Sequence, residues 1–245
     1  MGADYNFGEW LTAGILGGYS YSDASIKSPG KSEVENQSAR YGFYASGKLG
    51  GLRTGLYLGR AADSFTTERN ISFAEISRKA KASPDGRETN FEGSAAYEFK
   101  TGTPYGIFAP FASVRYDSLT VDPFAEKGAD FLNLTVSEQK AQSMRSNIGL
   151  QYGDIIGADG LAVRFSLSAA WRHEFKSQDL PIEASLSPGS IFTVKTGDRG
   201  RNGLLFGAGF LFNWGTLTTA FLDYSGDIRS HYNNNIVSAG MRFKF

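Results

Sequence analysis

The residues of this chain that could perform acid–base chemistry are its two histidines, His173 and His231. His231 lies close to Asp227 in a polar stretch, and a His/Asp pair at the rim of a sheet can activate water for hydrolysis. That reaction also needs an acidic pair opposite the histidine, and the sequence offers no such cluster. His173 lies between Trp171 and Phe175 on the apolar side of a strand pattern, which favours a packing role.

Other chemistries find little support in the composition or the motifs. The chain has no Cys, which excludes thiol catalysis, thiolate metal sites and disulfides. No G-x-S-x-G motif occurs, and the basic, glycine-containing residues 195–203 lack the strand-to-helix context of a phosphate loop. A formal net charge of zero gives no electrostatic case for nucleic acid binding. We therefore expect no enzyme activity, no cofactor, no metal site and no nucleic acid partner.

Charged residues instead alternate with apolar residues along predicted strands. Residues 161–175 place Leu167 and Trp171 on one face and Arg164 and Arg172 on the other, which is the period-two pattern of a strand with one polar face. The pattern predicts ten strands, at residues 10–21, 39–48, 53–65, 91–100, 106–117, 131–152, 161–175, 204–214, 217–225 and 235–245. Residues 131–152 could also form two strands with a turn near 138–141, and we favour one strand with a bulge. The charged residues expected on the polar faces are Arg40, Glu92, Glu98, Arg115, Asp117, Arg145, Arg164, Arg172 and Glu174.

The connections between these strands alternate in length. Short ones (47–52, 100–104, 153–160, 213–216) alternate with long ones (22–37, 66–87, 118–130, 176–202), and residues 226–234 are intermediate. Membrane barrels sort their turns and loops to opposite sides in this way. No apolar run reaches the roughly 18 residues of a membrane helix. The predicted fold class is all-β: an antiparallel transmembrane β-barrel of the bacterial outer membrane, with about ten strands in this chain and its polar faces around the lumen.

Six segments resemble the translocator (β) domain of the autotransporters, in the order that the family carries them. They read GADYNFGEWLTAGILGGYS, YGFYAS, APFASVRY, FAEKGA, AAWRHEF and a closing GAGF…YSG…MRFKF. The resemblance covers essentially the whole chain and implies a barrel of about a dozen strands with a short helix in the pore. It opens at residues 2–4, near the end of the family's second strand. We therefore expect residues 1–245 to be a β-barrel domain without the first strand, most of the second and the pore helix, and the N-terminus shows no signal-peptide pattern.

The resemblance also implies a function. It points to a non-enzymatic outer-membrane pore that exports its own N-terminal passenger to the cell surface by type V secretion. The expected partners are outer-membrane lipid, the barrel-assembly machinery and the passenger, which is not in this chain. The resemblance implies that Phe243 and the terminal Phe245 are the assembly signal. Glu126 matches an acidic position of the family's FAEKGA-like motif, and we expect a structural role for it.

Two other interpretations stay open at this stage. An omptin-like protease is also a ten-stranded barrel and would carry a hydrolytic site at its rim. A passive porin or a surface adhesin would need the barrel alone. A long repetitive passenger upstream of Met1 would favour export, whereas a bare signal peptide would favour one of the other two.

Overall fold

Strands dominate the computed structural model, which describes residues 1–26, 32–158, 161–176, 181–186, 189–195, 200–214 and 218–243. They are β1 (Gly2–Phe7), β2 (Leu11–Ile26), β3 (Ser32–Leu49), β4 (Leu52–Phe73), β5 (Ile76–Ala82), β6 (Asp85–Tyr97), β7 (Phe99–Lys100), β8 (Ile107–Val121), β9 (Phe124–Ala125), β10 (Leu134–Val136), β11 (Gln139–Ala158), β12 (Leu161–Lys176), β13 (Pro181–Leu186), β14 (Ile191–Lys195), β15 (Asn202–Trp214), β16 (Thr218–Arg229) and β17 (Tyr232–Phe243). One 3-10 turn spans Asp130–Leu132. A search of the described residues found no helix with the length and apolar character needed to cross a membrane.

Eleven of these strands form one continuous antiparallel sheet. Its order is β1-β2-β3-β4-β6-β8-β11-β12-β15-β16-β17, while β5 pairs with the end of β4 and β7 pairs with β8. Ten of the eleven correspond to the ten strands predicted from the alternation, and the short β1 is an addition that pairs with the start of β2. Within the described residues, β1 and β17 are the two ends of this order and each pairs with one neighbour.

The prediction of one bulged strand over residues 131–152 is wrong. The chain forms β10, leaves the sheet at Ser137 and Glu138, and begins β11 at Gln139. β10 belongs to a second, four-stranded sheet in the order β14-β13-β10-β9, where Val136 lies opposite Ala184 and is buried. A register shift does occur between Met144 and Arg145, so the expected bulge lies within β11.

The long connections contain more regular structure than the sequence pattern indicated. β2 and β3 continue as one ladder to Ile26 and Ser32, and β4 and β5 form a hairpin that turns at Ala74 and Glu75. The second sheet takes β9, β13 and β14 from the predicted connections after β8 and β12, and β10 from the strand predicted at residues 131–152. The intermediate connection predicted at residues 226–234 is also wrong, because β16 runs to Arg229 and only two residues separate it from β17.

Burial is concentrated at the end of the main sheet that carries these long connections. The buried apolar residues there include Ala80, Ala82, Ala129, Val136 and Ala184. Along the main sheet, large apolar side chains are exposed, with Ile15 at 65% and Val237 at 68% of their full accessible surface. The main sheet therefore has no second layer of protein over these side chains among the described residues. Exposed apolar surface of this kind marks a site of contact with protein, membrane or ligand.

Candidate functional site

The pairing registers divide the side chains of the main sheet between two faces. Directly opposed residues of antiparallel neighbours point the same way, so Arg40 on β3, Ala61 on β4 and Glu88 on β6 share one face. The pairing registers of the other strands extend this face across the whole main sheet, and we call it the polar face. It carries the charged residues Asp4, Arg40, Lys48, Arg53, Asp63, Glu88, Glu92, Arg115, Asp117, Arg145, Arg164, Arg172, Glu174, Asp223, Asp227, Arg229 and Arg242.

The opposite face, here called the apolar face, carries the exposed apolar side chains. Its exposed members include Ile15, Tyr41, Phe43, Leu58, Tyr97, Ile148, Leu150, Leu167, Trp171, Leu204, Val237, Met241 and Phe243, and the half-buried Phe91 lies on the same face. The structure thus places eight of the nine charged residues expected on the polar faces from the sequence on the polar face by register. The ninth, Glu98, lies between β6 and β7, and its carboxylate contacts Arg53 at 2.5 Å and Lys48 at 3.8 Å. Phe245 lies outside the described residues.

The tightest group of charges on the polar face joins β11, β12 and β16. The Arg172 guanidinium donates to the Asp227 carboxylate, and Arg229 contacts the same carboxylate at 3.0 Å. Arg229 also lies 3.6 Å from Glu174, which accepts a hydrogen bond from the Ser143 hydroxyl at 2.5 Å. These side chains are largely buried by one another, with Arg229 at 8% and Asp227 at 14% exposure. Each charge in the group therefore has a partner of opposite sign.

A second group occupies the middle of the polar face. Asp117 on β8 accepts from Arg115 and from Arg145, each at 3.0 Å, and from the Asn90 amide at 2.8 Å. Glu92 on β6 lies 3.6 Å from Arg115. Arg145 on β11 is opposite Glu174 on β12, so this group adjoins the first.

A third group completes the row toward the start of the chain. Arg40 on β3 pairs with Glu88 on β6 at 2.8 Å, and the Asn36 amide donates to Asp63 at 3.2 Å. Together the three groups form a row of alternating charges from β3 to β16. Opposite charges offset one another along it, so the row presents polar groups and little net charge. Arg164 lies apart, toward the end of the sheet with short turns, and has no ion-pair partner in the part of the chain that the structure describes.

Glu126 holds the second sheet to the main one. Its carboxylate receives two hydrogen bonds from Arg69 on β4, at 3.1 and 2.5 Å, and one from the backbone N–H of Leu134 at 2.8 Å. Glu126 is 8% exposed, so its charge is compensated in a buried setting. These contacts are consistent with the structural role expected for Glu126 from the sequence.

The two histidines do not form the arrangement that hydrolysis requires. His231 lies in the two-residue turn between β16 and β17, and the described contacts of Asp227 are with Arg172 and Arg229. The His231–Asp227 pair that the alternative protease interpretation would need is absent from the described contacts. His173 projects from the apolar face between Trp171 and Phe175, with ring centroids 5.5 and 4.8 Å away, and its Nδ1 lies 2.9 Å from the Asn202 side-chain oxygen.

Four charged residues of the row, Asp63, Glu88, Asp227 and Arg229, were not among the site residues chosen from the sequence. A local signal existed for two of them. Asp227 and Arg229 flank Ile228 in a period-two pattern that continues β16, and reading residues 226–234 as a connection concealed it.

Comparison with known proteins gives concordant results. Residues 1–225 match the protein family described as "Autotransporter beta-domain". The chain is 21% identical over 231 residues to an "Extracellular serine protease" of Serratia marcescens, and it spans about a fifth of that relative's length while 92% of the chain is aligned. A second protein of that description is also 21% identical, over 236 residues.

Solved structures show the fold. The translocator domain of the autotransporter NalP from Neisseria meningitidis superposes with a TM-score of 0.69 at 18% identity, over all of this chain and 79% of that one. The β domain of the Bordetella autotransporter BrkA gives 0.61 at 22% identity, over all of this chain and 88% of that one. A monoaromatic hydrocarbon channel, CymD, gives 0.54 at 13% identity, over all of this chain and 72% of that one.

Proposed function

The chain belongs to the autotransporter β-domain family, the translocator domains of type V secretion in the bacterial outer membrane, and we propose that it exports a passenger polypeptide along its polar face. In this proposal the polar face lines the lumen of an antiparallel outer-membrane barrel and the apolar face contacts lipid. The passenger, rather than this domain, carries any enzymatic or adhesive activity.

The observation that carries the proposal is the row of ion pairs from β3 to β16. A lumen that passes an unfolded chain must be hydrated, and it must not hold a segment of either charge too strongly. The ion pairs of the polar face meet that requirement, because each of their charged side chains already has a partner of opposite sign within the sheet. The pairs among Arg172, Arg229, Asp227 and Glu174 are the example. Polar lumens of this kind are general in membrane barrels.

The apolar face supports the proposed contacts with lipid and with the assembly machinery. Exposing apolar side chains such as those of Ile148 and Leu150 to water costs free energy, and contact with acyl chains removes that cost. Phe243 projects from this face near the end of the last strand at 57% exposure. We assign Phe243 and Phe245 to the signal that the barrel-assembly machinery reads.

The two edge strands of the main sheet, β1 and β17, bear on how the complete domain closes. β1 and β17 each pair with one neighbour among the described residues, and open strand edges do not occur against lipid. We propose that further strand residues, joined to a pore helix and the passenger, lie between these edges in the assembled protein.

A rim-active hydrolase receives less support. Its histidine would be His231, whose neighbour Asp227 is occupied by two arginines. We therefore propose a non-enzymatic domain.

The test is a surface-display assay. A reporter passenger is joined to this domain through the N-terminal segment of the family, and protease accessibility is measured in intact cells. Display of the reporter supports export, and removal of Phe245 should retain the reporter in the periplasm. A folded domain that displays nothing, together with proteolysis that His231→Ala removes, would favour the hydrolase.

A further inference from the structure

A cluster of cations interrupts the apolar face at the end of the sheet that carries the second sheet. Arg87 on β6 is opposite Thr120 on β8, which is in turn opposite Lys140 on β11, so the three form one row. In the adjacent row, Arg60 on β4 is opposite Thr89 on β6, and Thr89 is opposite Ser118. Since neighbouring strands are about 4.8 Å apart, the backbones of Arg87 and Lys140 are about 10 Å apart.

These residues line a cleft of about 580 Å³, together with Tyr41 and Glu138. Arg60 and Lys140 are exposed, and neither has an ion-pair partner within the described ranges. Arg87 contacts Asp122 at 2.8 Å. Glu138 contributes a carboxylate to the lining of the cleft. Glu88 also borders the cleft, but its carboxylate is paired with Arg40 on the polar face. Two unpaired cations, the Arg87–Asp122 pair and four hydroxyl-bearing residues therefore lie beside one further carboxylate, that of Glu138.

The surface next to this cluster is continuously apolar. Leu58 on β4 is opposite Phe43 on β3 and Phe91 on β6, and Phe91 is opposite Tyr116 on β8. This apolar row lies one step along the strands from Arg60 toward the centre of the sheet. A ligand that fits both features has an anionic head and acyl chains.

We infer that Arg60, Arg87 and Lys140 form a binding site for the phosphate groups of an outer-leaflet glycolipid. The inference rests on the proposed function, in which the apolar face contacts lipid. It also uses the rule that the long connections of an outer-membrane barrel are extracellular, which places the end of the main sheet that carries the second sheet at the outer leaflet. The guanidinium groups and the ammonium bind phosphate oxygens, and the hydroxyl groups of Thr89, Ser118 and Thr120 donate further hydrogen bonds. The acyl chains then lie on Leu58 and Phe91.

The test uses the full chain, purified and folded in detergent, and native mass spectrometry to count bound lipid. The probe is diphosphorylated lipid A, titrated beside the same glycolipid after enzymatic removal of its phosphates. Replacing Arg60 and Lys140 by Gln should lower the affinity for the phosphorylated lipid about 30-fold, or about fivefold per cation, and should leave binding of the dephosphorylated lipid unchanged. The matched control replaces Lys127 and Arg201 by Gln, which removes the same charge from exposed positions outside the cleft.

Equal losses in the two double variants would overturn the site, as would equal affinity of the unaltered protein for the two lipids. Complete competition by millimolar inorganic phosphate would also overturn it, because a lipid site is held by acyl chains as well as by the head. Surface display of a reporter passenger, measured on the same variants, separates this inference from the proposed function. Intact display with no selective loss of lipid binding contradicts the site alone, and selective lipid binding without display contradicts export alone.

Discussion

Arg172 on β12 and Asp227 on β16 form a direct ion pair across the intervening strand β15. Gly203 on β15 is opposite both Arg172 and Arg229, and a Cβ at that position would lie 2.8 Å from the Arg229 side chain. The missing side chain leaves the space through which the guanidinium reaches a strand two places away. This contact links the last strands of the sheet to its middle.

Removing the Asp227 charge should destabilise the domain. Asp227→Asn leaves Arg172 and Arg229, at 15% and 8% exposure, facing each other without a carboxylate between them. Breaking a buried ion pair is strongly unfavourable, and we expect a loss of about 2 kcal/mol or more in the free energy of unfolding. The measurement is urea-induced unfolding of the folded protein in detergent.

The control for that variant is Asp122→Asn, which breaks the exposed Arg87–Asp122 pair at 71% and 41% exposure. We expect a change below about 1 kcal/mol there, because surface pairs contribute little. Similar losses in the two variants would contradict the view that Asp227 organises a buried network.

Two neighbouring residues of β12 should differ strongly in the free energy that a new charge costs. Leu167 is on the apolar face and Ser166 is on the polar face. Leu167→Arg should cost about 2–4 kcal/mol if the residue lies at the centre of the bilayer, whereas Ser166→Arg should cost much less. Folding of the two variants into lipid vesicles, followed by equilibrium unfolding, gives both values. A larger cost at Ser166 would reverse the assigned faces.

Two glycines on the polar face should differ in their tolerance of a methyl group. A Cβ at Gly149 would lie 2.4 Å from the Ala169 carbonyl oxygen and 2.5 Å from the Ala170 Cβ, whereas a Cβ at Gly18 has no neighbour within 4 Å. Gly149→Ala should therefore force the β11 and β12 backbones apart and cost about 1–3 kcal/mol. Gly18→Ala should be neutral or slightly stabilising. Thermal unfolding of both variants in detergent tests this, and an unaffected Gly149→Ala would show that the strands are less closely spaced there.

The β4–β5 hairpin should loosen in acid. The Lys79 and Lys81 ammonium groups hold the Glu68 carboxylate, and these hydrogen bonds lower the pKa of Glu68 below its ordinary value of 4.5. A lowered pKa in the folded state means that the contribution to stability is fully present above pH 4.5 and is lost as the pH falls through the folded value. Hydrogen exchange at the amides of residues 76–82 should accelerate in that range.

Glu68→Gln provides the control for the acid response. It should exchange faster than the unaltered protein at neutral pH and show a weaker additional response to acid. An identical pH profile in the two proteins would exclude Glu68 as the group responsible.

Much of this fold follows from the alternation of side chains, because a strand with one face in lipid and one in water must repeat every two residues. That constraint predicted β12 and its facing directly from Leu167, Arg164 and Arg172. It failed at β10, since Leu134, Thr135 and Val136 show the alternation of a strand but pair within the second sheet, and the chain enters the main sheet only at Gln139. The partner of Arg172 could not be predicted, because pairing with Asp227 depends on which strands are neighbours and not on any local pattern.

The central claim is that a passenger crosses the membrane along the polar face. Site-specific photo-crosslinking to a stalled passenger in living cells tests it most directly, with the photoreactive residue at Gln151 or at Leu150. These neighbours on β11 are both exposed and belong to the polar and the apolar face respectively. Crosslinks to the passenger from position 151 and none from position 150 are the result that we predict. Crosslinks from position 150 with none from position 151, in a domain that assembles normally, would contradict export along the polar face.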